Sequence, residues 1–339
     1  MKTIFVVDDS DTNLSMAEEA LDRLYRVMTM PSAAKMFSLL GKVTPDLILL
    51  DIEMPEMDGF EALSKLKSES LWANIPVVFL TGRTDAAVEV HGFEMGAVDF
   101  ITKPFSAPVL INRIKTHLDI DELIRERTAQ LNRLQNSIVS VLANIVESRD
   151  KGTGGHIERT SAYIKILINE MKKRGVYEDI ISSWDIDKII SSARMHDLGK
   201  ISITDLIVNK PGKLTDDEYD IMKTHALEGE RIIDKIIAQT GEGDFLRNAR
   251  LFAGSHHERW DGKGYPNKLK GEDIPLQGRI MAIVDVYDAL VSERPYKNAF
   301  TDEEAVSIIM ENAGTHYDPK IAEVFFEVRD LFKEAKAHI

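Results

Sequence analysis

Residues 1 to about 119 set five short apolar runs between amphipathic stretches, and few folds accept that pattern. The runs are Ile4–Val7, Arg26–Met30, Asp46–Leu50, Val77–Leu80 and Val98–Ile101, with helical patterns near 11–22, 33–41, 58–69, 84–94 and 107–118. Strands alternating with helices predict a parallel α/β sheet, doubly wound with helices on both faces. In such sheets ligands collect beyond the carboxyl ends of the strands. Asp8 and Asp9 follow the first strand, Asp51 the third, Thr81 the fourth and Lys103 the fifth, so all five converge on one edge. Three close carboxylates repel unless a hard cation such as Mg²⁺ offsets them. Asp51 beside that cation could attack a phosphoryl donor as a nucleophile, with Lys103 and Thr81 holding the new phosphate oxygens. Taken singly, Asp9 or Asp11 could cap a helix and Asp51 could open a turn. The five matched strand ends are what argue for a phosphorylation site.

The rest of the chain bounds the setting. At 339 residues, with 44% hydrophobic and 29% charged residues, it has room for two or three globular domains. No stretch approaches the roughly 18 apolar residues of a membrane span, and the run Met1–Val7 is stopped by Asp8 and Asp9 before it could serve as a signal peptide. With no cysteine, disulfides are excluded and any metal must rely on His and carboxylate, which together favour a cytoplasmic protein. A net charge of -14 disfavours a general nucleic-acid surface while leaving room for a local basic pocket.

Past Pro108 the sequence to about 147 contains neither Gly nor Pro. Ile124, Leu131, Ile138 and Ile145 recur every seven residues; Ile120, Leu134 and Val141 occupy the other seam position, broken once by Arg127. The pattern predicts a parallel dimeric coiled coil over residues 120–136, continuing to 148, which would make the protein a homodimer. An amphipathic helix lying on its own domain would show the same stripe.

The segment 137–339 reads as an all-α bundle, with helices near 137–148, 156–174, 185–197, 215–238, 244–257, 275–292, 301–312 and 319–336. Thr215–Glu218 and Thr301–Glu304 fit capping boxes, and Pro275 and Pro319 suit first helical turns. Onto this bundle fall His156, His196-Asp197, His225, His256-His257 and Asp285. A lone helical histidine is as often a satisfied core or surface residue as a ligand. The neighbours make the difference: Asp197 closes an apolar helical face, where an unpaired carboxylate is costly and a metal is a suitable partner. Asp285 and Asp288 stand i, i+3 within an apolar stripe, which a metal ligand and its supporting acid would explain.

Two resemblances follow from these residues. Val-Val-Asp-Asp-Ser (6–10), the run from Leu49 to Gly59, Leu-Thr-Gly (80–82) and Ile-Thr-Lys-Pro-Phe (101–105) resemble the response-regulator receiver domain over residues 1–119. That resemblance implies a flavodoxin-like fold, phosphorylation of Asp51 by a partner histidine kinase, and Phe100 as an aromatic switch lying next to Thr81.

Downstream, Gly155-His156-Ile157-Glu158-Arg159, His196-Asp197-Leu198-Gly199-Lys200, His225 to Gly229, the stretch His256 to Pro266, and Asp285 to Lys297 resemble the HD-GYP phosphodiesterases of the HD phosphohydrolase superfamily. This implies hydrolysis of cyclic di-GMP to pGpG, and onward to GMP, by a hydroxide shared between two metals. His156, His196, Asp197 and Asp285 would hold one ion; Asp197 would bridge to a second completed by His225, His256 and His257. Lys200 would hold the scissile phosphate, Arg294 and Lys297 the ligand's phosphates, and Gly264 and Tyr265 would line the pocket, the ring of Tyr265 left free for a guanine. Imidazole and carboxylate without thiolate suit Fe, Mn, Ni, Co or Zn, and the resemblance leans toward Fe or Mn.

One departure stands out. Where some members carry a Glu four residues before the first His, this chain has Gly152. A two-metal site is therefore expected. Glu147, nine residues before His156, would need a different chain path to substitute, and the step from pGpG to GMP comes into question. Other readings remain open at this point: a hydrolase of another cyclic dinucleotide such as the mixed GMP–AMP ring, or a weakly catalytic module that senses the dinucleotide.

Overall fold

A computed structural model describes residues 1–82, 86–149, 155–293 and 299–339. By internal contacts the chain divides into Met1–Leu131 and Asn132–Ile339. The first unit runs β1 (Thr3–Val7), α1 (Asp11–Leu21), β2 (Arg26–Met30), α2 (Ala33–Leu40), β3 (Leu47–Asp51), α3 (Gly59–Ser68), β4 (Val77–Thr81), α4 (Ala86–Glu94) and β5 (Asp99–Thr102). Its five strands are all parallel, in the order β2-β1-β3-β4-β5. Both faces of the sheet are covered, so β3 and β4 are apolar without alternation and buried throughout. Phe5, Leu50 and Phe79 pack on one side; Ile4, Leu49, Leu80 and Ile101 pack on the other.

The helix expected to end near 118 does not end there. α5 is one helix from Ala107 to Ser148, because nothing between Pro108 and Ser148 breaks the hydrogen-bond ladder. Its first turns bury Leu110, Ile114 and Leu118 in the first unit's core, and its last bury Val139 and Val146 in the second unit. Between them Ile120, Ile124, Leu131, Leu134, Ile138, Val141 and Ile145 are each 49–65% exposed.

The second unit is helical: α6 (His156–Lys173), α7 (Glu178–Ile181), α8 (Ile186–Ala193), α9 (Asp205–Val208), α10 (Asp216–Thr240), α11 (Asp244–Ser255), α12 (Leu276–Val291), α13 (Asp302–Glu311) and α14 (Pro319–Ala337). Both capping boxes form, at Thr215 and Thr301, and Pro319 opens α14. The core is built on α6, α12 and α14, where the Tyr163 ring stacks on Phe332 and Tyr287 meets both edge-on.

Two helix ends differ from the sequence expectation. α8 stops at Ala193 and α11 at Ser255, so His196-Asp197 and His256-His257 sit just beyond helices. There His196 Nδ1 donates to Ala193 O, and His256 Nδ1 donates to Phe252 O and Ala253 O, bonding each ring back onto the last turn of its helix; Ala193 O and Phe252 O also accept the backbone N–H of the same histidine. Leu198–Ser202 then forms a 3₁₀ turn. Among the described residues no helix is long and apolar enough to cross a membrane.

Candidate metal centre and phosphoacceptor edge

Every imidazole in the second unit whose Nδ1 has a partner gives that nitrogen to an acceptor. His225 Nδ1 donates to Met222 O at 2.7 Å, His196 Nδ1 to Ala193 O at 2.9 Å, and His156 Nδ1 to Asp288 Oδ2 at 2.8 Å. Carbonyl oxygens only accept, so the proton is fixed on Nδ1 and the Nε2 lone pair points into the centre. The consequence is a packed set of lone pairs. His225 Nε2 lies 3.2 Å from His256 Nε2, and among the described residues the buried His196 Nε2 has no hydrogen-bond partner. Burial holds His225 below its ordinary range, and burial with the neighbouring His196 pushes His256 down to about 3. His257 is held well down by burial and His256. Neutral rings whose bare nitrogens face each other in a dry centre repel unless a cation lies among them, and orphaned buried acceptors are rare.

The donors fall into two groups, each drawing its ligand atoms within 4.8 Å: His156, His196 and Asp285, and His225, His256 and His257. Asp197 stands between them. Its Oδ1 is 3.4 Å from His225 Nε2 and 3.7 Å from His256 Nε2; its Oδ2 is 3.4 Å from His196 Nε2 and 2.7 Å from Lys200 Nζ. Burial opposes ionisation of Asp197, but Lys200 and His196 outweigh it and hold the carboxyl well below its ordinary range. With N and O donors and no thiolate, the set fits two borderline divalent ions.

Supports surround this centre. Asp288 takes His156 on one side and Arg159 on the other, with Arg159 Nε at 2.6 Å. His156 is pushed down by burial but raised above its ordinary value by Asp288 and Asp285. Arg159, one helical turn after His156, was part of the sequence motif without a role; its i, i+3 spacing was the available signal. Glu258 was likewise missed. Its buried carboxylate accepts Asn267 N at 2.7 Å and Leu269 N at 3.0 Å, tying down the loop that carries Gly264 and Tyr265. Gly264 fits only without a side chain, since a Cβ there would lie 2.4 Å from Arg259 N. The Tyr265 ring is less free than expected, lying 4.7 Å from the His257 ring at 30°.

A cavity of about 760 Å³ opens over the groups, lined by His156, Asp197, Lys200, His225, His257 and Asp285, with Tyr219, Arg259, Gly264, Tyr265 and His316 among its walls. Glu147, nine residues before His156, lies beside it, and its Oε1 accepts the backbone N–H of His156 at 2.9 Å. Gly152, Arg294 and Lys297 lie outside the described residues.

In the first unit Asp8, Asp9 and Asp51 form a third cluster. Lys103 Nζ reaches Asp8 Oδ2 at 2.6 Å and Asp51 Oδ1 at 2.7 Å, while Asn13, not foreseen, donates to both Asp8 oxygens. Burial raises Asp51 against the pull of Lys103. Thr81 is buried at the end of β4. Phe100 registers with Phe79 rather than Thr81, and its ring packs on Phe79 and Phe93 at 5.3 and 5.0 Å.

Comparison with known proteins matches these two halves. The HD domain family fits residues 140–321, and the response regulator receiver domain fits residues 4–115. The chain belongs to the HD-domain response regulators. A Vibrio cholerae protein named "Probable cyclic di-GMP phosphodiesterase" is 40% identical to the regulator over 95% of this chain and 77% of its own. The cyclic di-GMP phosphodiesterase response regulator RpfG of Xanthomonas campestris is 32% identical over 96% of this chain and 87% of its own. A 3'3'-cGAMP-specific phosphodiesterase 2 of Vibrio cholerae is 38% identical over 62% of this chain, covering 38% of that protein.

Proposed function

We propose that the regulator is a metal-dependent phosphodiesterase of HD-GYP type that hydrolyses cyclic di-GMP to pGpG under the control of phosphorylation at Asp51. The observation that carries this is the pair of three-donor groups joined by Asp197, their Nε2 lone pairs turned inward beneath a cavity of dinucleotide size. His156, His196 and Asp285 would hold one Fe or Mn ion, His225, His256 and His257 the other, and Asp197 both. When bound, such a pair supplies the positive charge that acidifies a water and stabilises charge developing at phosphorus.

The chain's own groups do the positioning. Lys200 would take an oxygen of the scissile phosphate; its ammonium lines the cavity beside Asp197. Asp288 holds His156 in one tautomer and orientation. Tyr265 would offer a base the face turned away from His257. Arg294 and Lys297 as phosphate contacts rest on sequence resemblance alone. With no Glu at 152, pGpG should accumulate ahead of GMP.

In the receiver, Asp8, Asp9 and Asp51 would bind Mg²⁺, Asp51 would accept phosphate from a histidine kinase, and Thr81 and Lys103 would hold it. The outward seam of α5 supports a parallel homodimer through residues 120–148, joining a receiver at 1–119 to a phosphodiesterase domain at 137–339. The test is product analysis with Mn²⁺ or Fe²⁺ beside a His196→Ala, Asp197→Ala double variant. Release of pGpG by the wild type alone is expected; no hydrolysis with either metal would overturn the proposal. The 3'3'-cGAMP-specific relative favours one second reading, the mixed GMP–AMP ring as substrate, and the same assay with that ring decides between them by kcat/KM.

A further inference from the structure

Two side chains where α5 ends hold both flanks of the proposed centre. Glu147 Oε1 accepts the backbone N–H of His156, the first residue of α6, at 2.9 Å. The N-cap residue of α6 is Gly155, which has no side chain with which to cap the helix. Two residues on, Arg149 spreads its guanidinium over the turn that carries Asp197 and Lys200. Nη1 donates to Lys200 O and Ile201 O at 3.3 and 3.1 Å, Nη2 to Ile203 O at 3.0 Å, and Nε and Nη2 to Asp205 Oδ1 at 3.0 and 2.7 Å. All three nitrogens of the fork are used, an arrangement Lys cannot reproduce.

We infer that Glu147 and Arg149 are positioning residues that set His156 and the Asp197–Lys200 turn in register with each other. Neither touches the substrate cavity's phosphate-binding group directly: Glu147 acts through the main chain of His156, Arg149 through carbonyls on the far side of the 3₁₀ turn. One ligand group thus depends on Glu147, and the bridging carboxylate depends on Arg149. Glu147 lies in the last turn of the helix that begins at Ala107 and Arg149 follows directly on its final residue, Ser148, so an axial shift or rotation of that helix end would move both flanks together. The inference rests on reading the centre as metal-binding.

Its test is Mn²⁺ affinity of the full-length protein, read by calorimetric titration and by elemental content after dialysis, with catalysis followed separately. Glu147→Ala should weaken Mn²⁺ binding about 10- to 100-fold, the usual effect of losing a group that orients ligands. Glu147→Gln, whose amide oxygen still accepts from His156 N–H, should stay within about twofold of wild type. Arg149→Lys keeps the charge opposite Asp205 but not the fork, and should weaken binding as Arg149→Ala does. Gln and Lys preserve side-chain volume, so these two variants decide the matter even where an alanine variant unfolds. Glu147→Gln as impaired as Glu147→Ala would make the carboxylate itself a ligand and overturn the positioning role. Wild-type affinity in Arg149→Lys would overturn the role of Arg149. A wild type that binds Mn²⁺ but hydrolyses nothing would sink the phosphodiesterase reading and leave this one intact.

Discussion

Gly199 lies between Asp197 and Lys200 with the α10 backbone pressed against it. A Cβ added there would sit 1.9 Å from His225 O and 2.4 Å from Gly229 N, where ordinary contact begins at 3.4 Å. The obstacle is helix backbone, which cannot swing aside like a side chain. Gly199→Ala must therefore push the 3₁₀ turn and α10 apart by about 1.5 Å along that contact. His225 rides on α10 and Asp197 on the turn, and their 3.4 Å approach is the link between the two ligand groups. A misplacement of about 1 Å can cost about 100-fold in rate, or about 2.7 kcal/mol of transition-state stabilisation. We expect kcat/KM for cyclic di-GMP to fall by at least about that factor, measured by pGpG release with saturating Mn²⁺. Gly229→Ala is the internal control. Its Cβ would meet Ala253 Cβ and Gly199 N at 3.2 Å, a crowding of tenths of an ångström that should leave kcat/KM within about threefold. Equal activity in Gly199→Ala and wild type, with the protein folded, would refute the close-approach argument.

Further outcomes follow from the receiver and the long helix. Burial alone would raise the Asp99 carboxyl, but Arg113 and His117 pull it below its ordinary value. Its stabilisation is therefore full above the unfolded value of about 4 and is lost as pH falls through the lower folded value. Relative to Asp99→Asn, hydrogen exchange of β4 and β5 amides should show the wild type about 1 kcal/mol more stable at pH 7, given the exposure of Arg113, with the gap closing in acid; a gap independent of pH would count against the pairing. Leu131→Glu with Ile138→Glu, placed on the outward seam of α5, should convert a dimer to a monomer in sedimentation, and an unchanged mass would exclude the coil. Beryllofluoride should change the phosphodiesterase rate of the wild type and not of Asp51→Ala; identical rates would uncouple the receiver from the site.

The sheet was legible because buried parallel strands need apolar runs on both faces, and β3 and β4 comply residue by residue. The histidines were legible as a set through their unusual neighbours, above all Asp197 closing an apolar face and Asp285 inside one. The helix ends were not: periodicity carries α8 and α11 through His196 and His257, whereas the helices stop at Ala193 and Ser255 and the imidazole N–H groups of His196 and His256 bond back onto their last turns. Nor was the place of Glu147, since a separation of nine residues along the chain does not say that its carboxylate meets the His156 N–H. Arg149 and Glu258 act on main-chain groups that carry no sequence signal, so only the folded chain reveals them.

The account turns on Asp197 joining two groups of imidazoles into one centre. Anaerobically purified wild-type protein should carry two equivalents of transition metal per chain by elemental analysis. Asp197→Ala, still folded by circular dichroism, should lose most of both. Wild-type protein without metal after reconstitution with Fe²⁺ or Mn²⁺, or an Asp197→Ala variant retaining two equivalents, would contradict it.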